Sequence, residues 1–219
     1  MGSMPDSTTL TSPEIWANID RRLRKGDEDR WLSSRYAPKP ERRALIALYA
    51  LAYELARVRL IVTEPGLGAI RFQWWRDALE EIETGKPPRE HDVVGALADM
   101  LAENRYRIDA LKRLVDQYED AFEASDRELQ PETLLTATAA RILTDAHGWG
   151  KHIGTMAPHF AALRRGESVG YGPVVPRVPK AILPATAHFR LRRLYGKRPN
   201  PSQLSKRLCV MRAVMSGKV

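Results

Sequence analysis

One cysteine, Cys209, is present in 219 residues, so no intramolecular disulfide can form, and a reducing compartment suits the chain. Apolar runs long enough to span a bilayer are missing, and the opening MGSMPDSTTLTSPE has no apolar signal core. Also missing are glycine-rich phosphate loops, nucleotide fingerprints, and a catalytic Ser or Cys triad. No internal repeat is visible, and no stretch of β-branched residues alternates with period two, which removes the usual strand signal. Acid is scarce at one end. From residue 151 onward there are fourteen Lys and Arg against one acid, Glu167, a net of +13. The first 150 residues hold the other 21 bases and 26 acids, a net of −5. A slightly acidic body thus carries a strongly basic final third, the asymmetry of a chain that meets a polyanion or carries a solvated tail.

What is present is helical. An apolar content of 43% and a charged content of 28% are those of a folded domain, and 219 residues suffice for one core. Ser12 before Pro13 is a helix start. The spacing predicts a helix over 41–62 with Leu45, Leu48, Ala52, Leu55 and Val62 on one face. A second is expected through Ile70, Trp74, Ala78 and Ile82, and a clean stripe runs through Ile108, Leu111, Val115, Tyr118 and Phe122. Helices are further expected after Pro131, over 151–165 despite Pro158, and over 178–195 and 201–215. The class is all-α. Residues 1–11 are expected to be a disordered N-terminus, 12–175 a helical domain, and 176–219 basic helices packed on it.

Several short patterns then align. Ser33-Ser34-Arg35, Glu41-Arg42-Arg43, Leu48-Tyr49-Ala50 and Arg71…Trp75-Arg76…Leu79 occur in order. Together they resemble the squalene/phytoene synthase family, all-helical enzymes that join two prenyl diphosphates head to head. The run ELARVR, then EP, then RFQWWRDAL is most similar to a divergent branch of that family. This branch includes the phytoene-synthase-like assembly factor of mitochondrial complex I and its bacterial relatives. The resemblance covers roughly residues 27 to 212, and the chain is shorter than full members around residues 144 to 156. It implies a reduced trans-isoprenyl-diphosphate-synthase-like helical bundle. It also implies a candidate diphosphate or lipid pocket at Ser34, Arg35, Tyr49, Arg59 and Trp75.

Chemistry separates this chain from the enzymes it resembles. Ionising a prenyl diphosphate requires magnesium to neutralise the leaving group, and magnesium needs oxygen ligands, in these enzymes two aspartate-rich boxes spaced i, i+4. By the resemblance, the first box falls at Ala56 and Leu60, neither of which binds a metal, with Arg57 and Arg59 alongside. Glu54 and Glu64 lack the spacing. The second box falls near Met156 to Phe160, and no acid lies between Asp145 and Glu167. An Asp-x-x-x-Asp does exist at Asp116 and Asp120, but it lies away from the apolar stripe of its helix and is expected to face solvent. Asp77, Glu80 and Glu81 read as a charged outer face supporting Arg76. His147, His152, His159 and His188 are scattered without zinc-site spacing. Of the neighbours Trp74 and Trp75, at least one belongs in the core. Arg59, on the apolar side of its helix, needs an acceptor, either Glu54 or Glu64 or a bound phosphate.

The resemblance implies a non-catalytic member acting as an assembly or scaffold factor at a membrane surface, with no metal or cofactor. It leaves room for a prenyl-lipid pocket. Arg190, Arg192, Arg193, Lys197, Arg198, Lys206 and Arg207 are the candidate anionic-surface residues. Partners are then an anionic membrane surface or membrane-complex subunits. The place is the cytoplasm peripheral to the inner membrane, or the mitochondrial matrix in a eukaryote. Two alternatives stay open: an active head-to-head prenyltransferase using other acids, and a basic structural protein bound to RNA in a ribonucleoprotein particle.

Overall fold

A helix buried on nearly every side organises the molecule. In the computed structural model, α3 (Lys39–Ile61) has all nine residues from Ala44 to Ala52 buried, as are Leu55 and Val58. A helix apolar all round can only be stable at the centre of a bundle. The structure describes residues 11–62, 64–125, 131–145, 148–170 and 172–219, and among these every regular element is helical.

Around α3 the chain winds α1 (Pro13–Gly26), α2 (Glu28–Ser34), α4 (Pro65–Glu83), α5 (Asp92–Ala102), α6 (Ile108–Glu123), α7 (Glu132–Leu143) and α8 (Gly150–Arg164). Ser12 caps α1 as its sequence suggests, its Oγ accepting from the Ile15 amide at 3.3 Å. Asp27 caps α2 in the same manner and so sits where α1 and α2 join. The stripe on α6 is buried through Leu111, Leu114, Val115 and Tyr118. The segment 1–11, expected to be disordered, falls mostly on residues 1–10, which lie outside the described set. Thr11 itself is buried, its amide donating to Asp99 at 3.2 Å.

Two expectations change. On α4 the inward face is Gly68, Phe72, Trp75, Ala78 and Leu79, while Ile70 is 66% exposed and Trp74 and Ile82 are half-buried. Both faces of this helix carry apolar residues, so period alone did not choose between them. On the inward face a Cβ at Gly68 would lie 2.1 Å from the Phe122 ring, so glycine lets α6 approach α4 closely there. The single helix expected over 178–195 is broken into a 3₁₀ turn (180–182), α9 (Leu183–Thr186), a second 3₁₀ segment (187–191) and α10 (Arg192–Tyr195). Pro184 donates no amide hydrogen, and Thr186 Oγ1 donates to the Ile182 carbonyl at 2.9 Å, competing with the main-chain ladder. The last helix, α11 (Gln203–Ser216), begins at the Ser202 cap and ends at Gly217, which has a left-handed φ of 66°. Phe189, Leu191, Val210 and Ala213 join the same core as α3, so the basic third packs on the body. Among the described residues, no helix is long and apolar enough to cross a membrane.

Candidate functional site

A cavity of about 900 Å³ opens between α3, α6 and α8. Ala52, Tyr53, Ala56 and Leu60 supply the α3 wall, Tyr118 and Phe122 the α6 wall, and Ala161 part of the α8 wall. Val62 and Pro65 form one end. Close approach of α1 to α3 is again a glycine effect, since a Cβ on Gly26 would lie 2.3 Å from the Tyr53 ring. The volume is that of a small-molecule site.

Charge is concentrated at the floor. Asp27, Arg30, Glu132 and Arg164 form a linked group there, and Arg57, Arg59, Glu123 and Arg165 also line the cavity. Arg30 is buried and donates to both Asp27 and Glu132, while Arg164 Nη1 lies 3.0 Å from Asp27. Burial alone would raise the Asp27 pKa. Arg164 and Arg30 together instead hold it well below the usual carboxylate range. Burial likewise opposes a charge on Arg30, and Asp27 and Glu132 overcome it. Burial pushes up the phenols of Tyr49 and Tyr118 beside this network, so both remain protonated. The network continues away from the cavity: the Tyr195 hydroxyl donates to Asp29 at 2.6 Å, and Lys206 Nζ stands 3.0 Å from the same carboxylate.

Magnesium, which the family's chemistry uses, does not fit these residues. Ala56 and Leu60 of α3 line the cavity, and neither carries an oxygen ligand. On α8 the cavity-lining i, i+4 pair is Ala161 and Arg165, not Met156 and Phe160, which are fully buried in the core. The floor carboxylates Asp27 and Glu132 are already engaged by arginines. Among the described residues, no three His, Cys, Asp or Glu side chains are placed to hold a metal ion. The Asp116 and Asp120 pair lies elsewhere. Asp116 Oδ1 accepts from Arg76 Nε at 2.8 Å on the outer face of α6, and Asp120 is exposed. Arg76 therefore pairs across to Asp116 and Glu119 on α6, whereas Glu81 and Asp77 on its own helix pair with Arg89.

The candidate pocket residues are not brought together. Arg59 lines the cavity, and Tyr49 lies behind its floor with Arg30 Cζ 6.0 Å from the ring centre. Glu54, one acceptor considered for Arg59, pairs with Arg22 and Arg57. Ser34 is buried with its Oγ donating to the Trp31 carbonyl at 2.8 Å, and Arg35 reaches Asp20 at 3.1 Å. Trp75 is buried edge-on against Trp74 and His91 on another side of the bundle. His188 is fully buried between Phe160 and Phe189, while His147 lies outside the described residues. Of the basic candidates, Arg190 and Arg192 donate to the carbonyls of Lys218 and Val219, and Lys206 is ion-paired inward. Arg193, Lys197, Arg198 and Arg207 are exposed. Sequence reasoning did not single out Asp27, Arg30, Glu132 or Arg164. They come from three distant segments, and the only local signal was the capping position of Asp27 after Gly26.

Comparison with known proteins adds to this geometry. The squalene/phytoene synthase profile matches residues 23–136, more than half of the 219. Human NADH dehydrogenase (ubiquinone) complex I, assembly factor 6, is 37% identical over 68 residues, 31% of this chain and 20% of that protein. The rat protein of the same name is 34% identical over 128 residues, 56% of this chain and 38% of the relative. The matches thus span well under half the length of these relatives. No solved structure matches the chain. The profile covers more than half of the chain and every regular element among the described residues is helical, and the chain belongs to the squalene/phytoene synthase family.

Proposed function

We propose that this protein is a non-catalytic family member, an assembly or scaffold factor for a membrane complex that works at a membrane surface. The observation that carries the reading is the cavity itself: where prenyl transfer needs carboxylates on two facing helices, it presents Ala56, Leu60, Ala161 and Arg165. Its relatives include proteins named for assembly of complex I, which makes subunits of that complex the first partners to seek. The apolar walls suit a prenyl chain, and Arg59 at the lining suits an anionic head group. Exposed Arg193, Lys197, Arg198 and Arg207 suit the anionic lipids of an inner membrane facing the cytoplasm or the mitochondrial matrix.

The test is purification of the tagged full chain from its native cell in mild detergent, followed by identification of what accompanies it. Complex I subunits, with or without a bound prenyl lipid, are the expected companions. Recovery of RNA and ribonucleoprotein components in their place would overturn the reading.

A further inference from the structure

Helix α11 is apolar on two opposite sides. Val210 and Ala213 are buried against the body, and Lys206, ion-paired with Asp29 and Glu28, fixes that orientation. Facing away from the body are Leu204, Leu208, Met211 and Met215, respectively 67, 42, 39 and 79% exposed. Their spacing of four, three and four residues places them in one stripe along the helix. Arg207 and Arg212, both exposed, lie about 70° to either side of that stripe at 100° per residue. No acid occurs on α11, and the preceding turn adds exposed Lys197 and Arg198. By contrast, Phe189, on the segment richest in arginine, is committed to the core and offers no apolar contact to a partner.

We propose that α11 lies in the plane of an anionic bilayer, with Leu204, Leu208, Met211 and Met215 at the acyl boundary and Arg207 and Arg212 among the phosphates. The inference rests on the membrane-surface reading above and adds to it the inserted element. Charge selects the occupant. A narrow apolar stripe bordered by arginine on both sides matches the boundary between lipid head groups and chains, where long basic side chains reach up to phosphate. A second copy using the same face would set arginine against arginine.

The full-length protein is tested by co-sedimentation with phosphatidylcholine vesicles, with and without cardiolipin, across a salt series. Binding to the cardiolipin vesicles is expected, with a component that survives high salt, because burial of apolar side chains is not screened. The variant L204S/L208S/M211S/M215S changes exposed residues only, and its helix content and thermal midpoint are checked against the parent. It is expected to lose the salt-resistant component, with affinity falling roughly tenfold or more. Lys197→Gln with Arg198→Gln is expected to reduce only the salt-sensitive part. Wild-type binding left unchanged by the four serines would overturn the inserted helix while leaving the surface reading in place. Absence of all vesicle binding would overturn both. A dimer of the parent that the four serines dissolve would assign the face to a second copy instead.

Discussion

Arg164 of α8 stands 3.0 Å from Asp27, the cap of α2, and so ties α8 to the junction of α1 and α2. Arg30 completes the arrangement from the other side of Asp27 and reaches Glu132 of α7. Four charges, two of each sign, are thus linked at the floor of a cavity whose lining also includes Arg57, Arg59, Glu123 and Arg165. A buried pair of this sort adds little net stability over well-packed apolar groups, but removal of one partner strands the others.

Arg30→Met should therefore destabilise the fold by about 3–5 kcal/mol, since it leaves Asp27 and Glu132 short of a counter-charge. Asp27→Asn should also cost stability, and the double variant should cost less than the two single changes added together. Urea unfolding of the three proteins measures this. Strict additivity would mean that the two side chains do not act as a unit.

The core offers a cleaner contrast. Leu55 and Leu111 are fully buried, and Leu55→Ala or Leu111→Ala should each cost about 2–5 kcal/mol. Asp120 is exposed, and Asp120→Ala should change stability by less than about 0.5 kcal/mol. Asp116 is half exposed and pairs with Arg76, so Asp116→Ala should cost at most about 1 kcal/mol.

Acid should weaken the fold before any carboxylate is protonated. Burial, reinforced by the nearby Arg30 and Arg164 and opposed by Asp27, holds the His188 pKa well below its ordinary value, and neither ring nitrogen has a hydrogen-bond partner among the described residues. The unfolded chain takes up this proton at about pH 6.5, and the folded chain resists it. Stability from this source is complete above that pH and is lost as pH falls below it, by up to about 1.4 kcal/mol per pH unit. His91, also lowered by burial, acts in the same direction. Asp27, whose folded pKa is depressed, adds its loss only below about pH 3.9. Urea midpoints between pH 8 and pH 5 should fall for the parent and fall less for His188→Leu. Equal slopes would place the titrating group elsewhere.

Helix content was legible because several helices announce themselves locally: Ser12-Pro13 at the start of α1, and the Leu111, Val115, Tyr118 stripe of α6. The central place of α3 was less so, because a stripe was expected where the whole circumference is buried, as Ala44, Ala47 and Leu51 show. The inward side of α4 includes Gly68 against Phe122, a contact made 54 positions along the chain that no local pattern encodes. Ala56 and Leu60, expected at the first box, line the cavity, whereas Met156 and Phe160, expected at the second, are buried in the core. The partners that fill the floor could not be read locally, because Arg30 and Glu132 are separated by 102 residues and meet only in the fold.

We propose that this cavity works without the magnesium chemistry of the family. The proposal is tested most directly by incubating the purified chain with farnesyl or geranylgeranyl diphosphate, Mg²⁺ and NADPH and following pyrophosphate release and hydrocarbon products. Both are expected to stay at the level of a protein-free control, because Ala56, Leu60, Ala161 and Arg165 offer magnesium no ligand. Squalene, phytoene or pyrophosphate formed above that control and abolished by EDTA would contradict it.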